Sequence, residues 1–209
     1  MNLESLFAKL EEIGTMLAAI AFTGYVFYKT FSARLEKWVK DERTGVSKTI
    51  GKQSEIDCEI VQEAEKLKEI IAADRVQVFE FHNGVHYANG RSALRMSCTY
   101  EVCRYGIEPC LNKMAGVPLT VVPNLIKALL DKDKIVIEDI DDVMNNMPST
   151  YNLLCSMGVK SFYAYVIHNN NGEPVGFVAL QFCREKTTKI QKDNIQRFVW
   201  FIESKLSEM

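Results

Sequence analysis

The sequence lacks the motifs that mark the common catalytic and nucleotide-binding sites. Its 209 residues contain no nucleophile elbow, no P-loop, no dinucleotide glycine pattern and no zinc-hydrolase helix. It also lacks an excess of one charge, with 25 basic and 27 acidic side chains. A broad basic surface for a nucleic-acid backbone is therefore not expected, and an enzymatic function has no positive support. The 47% hydrophobic and 25% charged residues are typical of a globular protein.

The six cysteines form no C-x-x-C pair and no dense framework, which favours the reduced thiols of an intracellular protein over disulfides. Cys98, Cys103 and Cys110 are spaced by five and seven residues. On a regular strand Cys98 and Cys103 point to opposite faces, so they cannot meet without a bulge. We interpret the cysteines as structural thiols.

One stretch near the start carries no charged residue. Residues 13–28 form an uncharged run of 16 residues, which covers roughly 24 Å as a helix against the roughly 30 Å of a bilayer core. We predict a single-pass membrane anchor here, and the alternatives are a buried core helix or a surface amphipathic helix. Basic residues are concentrated after the run, at Lys29, Arg34, Lys37 and Lys40. This asymmetry predicts a cell-membrane location with the C-terminal side cytoplasmic.

The chain is predicted to divide into an anchor with a connector, residues 1–49, and a domain, residues 50–209. Thr44, Gly45 and Ser47 indicate that the first helix breaks there. Apolar residues then recur every three or four positions in two amphipathic helices, one ending near Ala73 and one from about Lys189 to Lys205.

Between these helices the pattern changes to short runs rich in β-branched and aromatic residues. They predict five strands, at residues 76–82, 97–104, 134–139, 161–168 and 176–183. Residues 169–172 (NNNG) join the last two strands as a hairpin, because Asn and Gly tolerate the positive φ of tight turns. We therefore expect an α+β fold with an antiparallel sheet.

Both faces of the predicted sheet need a cover, because the last two strands are apolar on both sides. The terminal helices can cover one face. The other is left to a loop at residues 83–96 and short helices at about 123–130 and 148–157. Connections folded over a sheet form a natural pocket.

The order of elements and several phrases resemble the GAF domain family, which is similar in fold to PAS sensor domains. The resemblance covers residues 54–206 and rests on ADRVQVFEF after a long helix, SCTYEV, VPLTVVPNLIKALLDKDKIVIEDIDDV, SMGVKSFYAYVI and NGEPVGFVALQF. The most specific of these is the last hairpin, where an NG-x-P turn precedes a glycine-led strand. The resemblance implies a small-molecule site on the loop-covered face, a sensory role and a homodimer.

The segment FHNGVHYANGRS is the most unusual in the chain, with two of the three histidines and two Asn-Gly pairs. It offers His82, Asn83 and His86 to a polar ligand, and the alternative is a hydrated surface loop. A metal pair of His82 and His86 is disfavoured, because the intervening Asn83-Gly84 argues against the helix that such spacing requires.

The second predicted strand adds three candidates. Tyr100 and Arg104 share one face and Glu101 lies on the other. An Arg beside an aromatic ring can clamp an anionic or planar ligand, and the alternative is an Arg at a strand end paired with solvent or Glu108. We therefore take His82, Asn83, His86, Tyr100, Glu101 and Arg104 as candidate ligand-binding residues, with no catalytic residue, no metal site and no identified cofactor.

The sequence thus predicts a membrane-tethered, non-catalytic sensory or regulatory domain that binds a small ligand or a partner protein and forms a homodimer. One alternative is an interaction or scaffold protein whose pocket is filled by its own side chains, with Phe79, Phe81, Tyr100, Tyr163 and Tyr165 as the candidates. Two others are a binding protein that sequesters a nucleotide and a thiol enzyme that reduces methionine sulfoxide.

Overall fold

A long helix, α1 (Leu3–Ile71), begins the computed structural model, which describes residues 3–187 and 190–208. The chain divides into two units, Met1–Ser54 and Glu55–Met209, so α1 contributes to both. The helix continues through residues 44–47, where the sequence predicted a break. That prediction was wrong, because a single glycine inside a helix costs only about 1 kcal/mol.

The first unit consists of α1 alone within the described residues. Its aromatic side chains at Phe22, Tyr25, Phe27 and Tyr28 are exposed. In the part of the chain that the structure describes, no helix carries a stretch long and apolar enough to cross a membrane. The anchor predicted over residues 13–28 is therefore not supported, since its uncharged run of 16 residues falls short of the about 20 that a span needs.

The second unit holds the sheet and the remaining helices. Its strands are β1 (Arg75–His86), β2 (Ser92–Cys103), β3 (Val117–Pro118), β4 (Lys134–Ile137), β5 (Ser161–His168) and β6 (Pro174–Phe182). Its further helices are α2 (Pro123–Lys132), α3 (Pro148–Ser156) and α4 (Lys192–Leu206). Pro123 and Pro148 stand in the first turns of α2 and α3, where the missing N–H is not needed. The predicted start of the last helix, Lys189, lies outside the described residues.

The sheet has six antiparallel strands in the order β3-β2-β1-β6-β5-β4. The α+β class with an antiparallel sheet is confirmed, but the predicted count of five strands was wrong. The additional strand, β3, is only two residues long and pairs with Arg95 and Met96 of β2. Two residues show no alternation, so the sequence pattern could not reveal it.

The face of the sheet that α1 and α4 cover has its own hydrophobic core. Ile60 and Leu67 of α1 pack with Ile195 and Ile202 of α4 against sheet residues that include Val78. The period of three and four residues in both helices is explained by this burial. We call this side the helix face.

The opposite face is covered by α2, α3 and the connections around them, as the sequence predicted. Leu125 and Leu129 of α2 and Leu154 of α3 are buried against Phe79 and Phe177 of the central strands. We call this side the loop face. The two cores explain why the central strands are apolar on both sides.

The β5–β6 hairpin is confirmed at the predicted turn. Asn169 N–H donates to Glu173 O and Gly172 N–H to Asn169 O, both at 2.9 Å. Asn169 Oδ1 also accepts the N–H groups of Asn171 and Glu173 at 2.9 Å. Gly172 adopts a φ of 77°, which a residue with a Cβ rarely does.

Candidate functional site

Most of the unusual segment FHNGVHYANGRS forms the end of a hairpin instead of a loop. Strand β1 extends to His86 and β2 begins at Ser92, so the predicted loop at residues 83–96 was too long. The chain reverses where Tyr87 N–H donates to Arg91 O at 2.9 Å, and Asn89 Oδ1 accepts Arg91 N–H at 3.1 Å. A register shift after Asn83 hides the strand from the sequence pattern. We call this element the β1–β2 hairpin.

The histidines of this hairpin are exposed and each contacts a serine of the opposite strand. His82 Nε2 lies 2.9 Å from Ser97 Oγ, and His86 Nδ1 lies 3.3 Å from Ser92 Oγ. Asn83 is exposed as well. Within the described residues, no group of three histidine, cysteine or acidic side chains is arranged to hold a metal ion.

Tyr100 and Arg104 lie towards the helix face. Tyr100 OH donates to Asp57 Oδ1 of α1 at 2.6 Å. The Arg104 guanidinium donates to Ala73 O at 3.3 Å and lies 3.6 Å from Glu69 Oε2. These contacts connect β2 to α1.

Glu101 lies on the loop face and is buried. Its carboxylate accepts the backbone N–H groups of Cys110 at 3.0 Å and Leu111 at 2.9 Å, and the Gln77 amide at 2.9 Å. Glu101 therefore positions the chain after β2 over the sheet. The six predicted ligand-binding residues thus occupy three places: the β1–β2 hairpin, the helix face and the loop face.

A β-bulge alters which side chains of β2 share a face. The register between β1 and β2 shifts between Val78 and Phe79, whose partners are Tyr100 and Cys98. The extra residue, Thr99, places Cys98, Glu101 and Cys103 on the same face. The opposite faces that a regular strand predicts for Cys98 and Cys103 are therefore not observed, because this bulge is present.

The thiols on this face are unreactive in character. Burial raises the pKa of Cys98, and the nearby Glu101 carboxylate raises it further. Burial also raises the pKa of Cys110 to about 12, against a smaller opposite effect of the Arg75 guanidinium. Thiolate chemistry needs a lowered pKa, so these residues do not form a nucleophilic centre.

An open apolar pocket of about 550 Å³ lies between the β1–β2 hairpin and helix α2. Its apolar lining comes from Ala93 and Leu94 of β2, Leu119 of the following turn, and Pro123, Ile126 and Leu130 of α2. Pockets for small organic ligands have volumes of about 300–1,000 Å³ and mostly apolar walls. We call this cavity the hairpin–α2 pocket.

Polar and charged groups border the same pocket. Tyr87, Arg91 and Ser92 line it from the β1–β2 hairpin, Thr120 from the turn before α2, and Lys127 and Asp131 from α2. The Arg91 guanidinium carbon lies 4.9 Å from the Tyr87 ring centroid, which is a cation–π distance. Lys127 Nζ is ion-paired with Asp131 Oδ2 at 2.7 Å.

The sequence prediction missed the α2 side of this pocket. Arg91 lies in the unusual segment FHNGVHYANGRS, but for the helix at about 123–130 the sequence predicts only that it covers the sheet. Ile126 and Leu130 are spaced from Pro123 and Lys127 by three or four residues, so all four lie on the same side of the helix. That pattern alone does not show what this side faces.

The centre of the loop face is filled by the protein's own rings. The Phe79 and Phe177 rings stack with centroids 4.6 Å apart, and Phe81 lies 5.8 Å from Phe177. Tyr163 and Tyr165, which the self-filled alternative also named, belong to the helix-face core, with Tyr100 packed against it. The hairpin–α2 pocket therefore lies beside a packed centre.

This architecture is the GAF-domain fold. The structure is similar to the blue-light-absorbing form of the PixJ GAF domain of Thermosynechococcus elongatus, with a TM-score of 0.57 and 14% identity over 75% of this chain and 88% of that one. It is also similar to the phycocyanobilin-bound GAF domain of a cyanobacterial phytochrome, with a TM-score of 0.56 and 17% identity over 78% and 90%. It is similar as well to the phycoerythrobilin-bound GAF domain of a cyanobacterial phytochrome, with a TM-score of 0.55 and 17% identity over 77% of this chain and 90% of that one. No protein-family model and no curated protein matches the sequence.

Proposed function

We propose that this chain is a non-catalytic sensory domain that binds a small organic ligand in the hairpin–α2 pocket. The observation that carries the proposal is the pocket itself, whose volume and apolar lining suit such a ligand. The GAF fold supports it, because two of the similar structures are described as bilin-bound GAF domains.

The proposal does not extend to a covalently attached chromophore. The residues that line the hairpin–α2 pocket include no cysteine. The two buried thiols, Cys98 and Cys110, have raised pKa values. The ligand is therefore held by contacts alone.

Membrane association and a homodimer remain predictions from the sequence. For the dimer, the second unit offers Trp200 of α4, which is 60% exposed, as an apolar contact residue. Neither property is needed for the pocket to bind its ligand.

The proposal is tested with the full chain in a thermal-shift screen of metabolites, nucleotides and free bilins. Thr120 is exposed and lines the pocket, so Thr120→Trp should fill the pocket without disturbing the core. Ser149→Trp, an exposed position on α3 outside the lining, is the matched control. A compound that stabilises the wild type and Ser149→Trp, but not Thr120→Trp, supports the proposal.

Two results would refute this function. One is a screen without any stabilising compound. The other is a compound whose effect survives in Thr120→Trp, since it would then bind elsewhere.

A second candidate is an interaction module with a self-filled interior. The Phe79–Phe177 stack favours it, because these rings occupy the centre of the loop face. This candidate predicts a stable, folded chain that binds no compound in the screen and is captured by a partner protein.

A further inference from the structure

We infer that the ligand of the hairpin–α2 pocket is an amphipathic carboxylate, a molecule with an apolar body and one carboxylate group. This inference rests on the proposed function and names the chemical class of the ligand. It is carried by the combination of an apolar wall and an uncompensated guanidinium.

The apolar wall suits the body of the molecule. Leu94 and Leu130 are 52% and 40% exposed, and Leu119 and Ile126 border the same cavity. Burying apolar surface contributes about 25 cal/mol per Å², so covering these side chains favours an alkyl or aromatic group.

The guanidinium of Arg91 suits the charged end. The Tyr87 ring centroid lies 4.9 Å from the guanidinium carbon, which limits the freedom of the side chain, and both residues line the pocket. Among the described residues, no carboxylate forms an ion pair with Arg91. A planar guanidinium offers two parallel N–H groups to a carboxylate, so a bidentate contact needs no rearrangement of the backbone.

The charge count of the lining indicates a single negative charge. Arg91 and Lys127 are the cations, and Asp131 is the acid, already ion-paired with Lys127 at 2.7 Å. One positive charge is therefore uncompensated. A carboxylate balances it, whereas a phosphate monoester carries about −1.5 to −2 at pH 7 and leaves surplus charge.

The test uses decanoate, 1-decanol and decylammonium, which share one alkyl chain and differ in the charge of the head group. Isothermal titration of each into the full chain gives the three affinities. We expect decanoate to bind about tenfold more tightly than decanol, as a charge-assisted hydrogen bond provides, and decylammonium to bind most weakly.

Variants separate the head-group contact from the apolar contact. Arg91→Gln should bring the affinity for decanoate down to that for decanol and leave decanol binding unchanged. Leu130→Asn should weaken both. Arg197→Gln, an exposed arginine of α4 outside the lining, is the control and should change neither.

The outcomes distinguish the inference from the function on which it rests. Equal affinity for decanoate and decanol, or a decanoate preference that survives in Arg91→Gln, overturns the carboxylate class and leaves the pocket's function standing. Decyl phosphate is titrated as a fourth probe, and tighter binding of decyl phosphate than of decanoate overturns the single-charge argument. If none of these probes binds, the inference fails, and the metabolite screen with Thr120→Trp decides the function independently.

Discussion

Arg75 Nε lies 3.4 Å from Glu101 Oε1 on the loop face of the sheet, and the two side chains are only 2% and 3% exposed. Within the described residues the Arg75 Nε–H has no hydrogen-bond acceptor in suitable geometry, so this contact is an ion pair. The rest of the guanidinium donates to the Gln181 side chain and to Glu108 O. Three strands, β1, β2 and β6, and the chain after β2 are thereby joined through one buried pair.

Loss of the Glu101 charge should destabilise the domain strongly. Glu101→Gln keeps the size of the side chain but leaves the Arg75 charge buried without a counterion and removes one acceptor oxygen from the N–H groups of Cys110 and Leu111. We expect the free energy of unfolding to fall by about 3–5 kcal/mol, measured by urea denaturation.

Glu108→Gln is the control for this substitution. Glu108 is exposed and pairs with Lys113 at 2.8 Å, and its contact with Arg75 uses the backbone carbonyl, which the substitution retains. Its urea midpoint should equal that of the wild type. Equal midpoints for Glu101→Gln and the wild type would contradict a structural role for Glu101.

Asp74 should make the domain sensitive to acid. Burial alone would raise its pKa, but the N–H groups of Arg184 and Cys183 and the Arg184 guanidinium donate to the carboxylate and outweigh burial. The pKa in the folded state is thus below the ordinary value of 3.8. The charged carboxylate therefore stabilises the fold above about pH 4, and this contribution is lost as the pH falls through the folded pKa.

Asp74→Asn tests this sign. The difference in unfolding free energy between the wild type and the variant should be constant above about pH 5 and shrink as the pH falls below about 4. Asp142→Asn, at an exposed acid in the turn after β4, should keep the wild-type acid profile. A difference that stays constant down to about pH 2 would show that Asp74 has the same pKa in both states.

The exposed and the buried cysteines should differ in their reactivity towards a thiol reagent at pH 8. Cys58 and Cys155 are exposed and should be modified first. Cys110, whose pKa burial raises to about 12, should have a thiolate fraction roughly a thousandfold lower than a free thiol. In denaturant all six should react alike. Rapid native labelling of Cys98 or Cys110 would reopen the thiol-enzyme alternative.

Gly176 should not tolerate a methyl group. A Cβ built there would lie 2.0 Å from Phe79 O of the neighbouring strand, which backbone atoms cannot accommodate without separating β6 from β1. We expect Gly176→Ala to lower the free energy of unfolding by more than about 3 kcal/mol. Gly51→Ala, in helix α1 at a position where nothing lies within 4 Å of the added methyl group, should not lower the melting temperature measured by circular dichroism. Equal melting temperatures for the two variants would refute the steric argument.

The elements that the sequence predicted best are those with local signals. The NNNG turn determines its own hairpin through the side chain of Asn169 and the positive φ of Gly172. The backbone of Phe79 lies so close to Gly176 that only glycine fits, which explains the glycine on which the family resemblance partly rests. The helices α2 and α3 begin at the prolines that predicted them.

The features that the sequence did not reveal depend on pairing between distant residues. The bulge opposite Val78 and Phe79 is a property of register, and it decides that Cys98 shares a face with Glu101 and Cys103. The hairpin–α2 pocket brings Arg91 to Ile126, which are far apart in the chain, so no local pattern marks it. The six predicted ligand-binding residues share only their chemistry, and the structure places them at three separate points.

The most direct test of a ligand in the hairpin–α2 pocket is a methyl NMR titration of the full chain with decanoate. The methyl signals of Leu94, Ile126 and Leu130 should shift and saturate, because these side chains line the pocket. The methyl signals of Ile60 and Ile195, which are buried in the helix-face core, should not shift on their own. Any shift they show should follow the same saturation curve as the signals of the pocket. Saturable shifts confined to the helix face, or no saturable shift at all, would contradict a carboxylate ligand in this pocket.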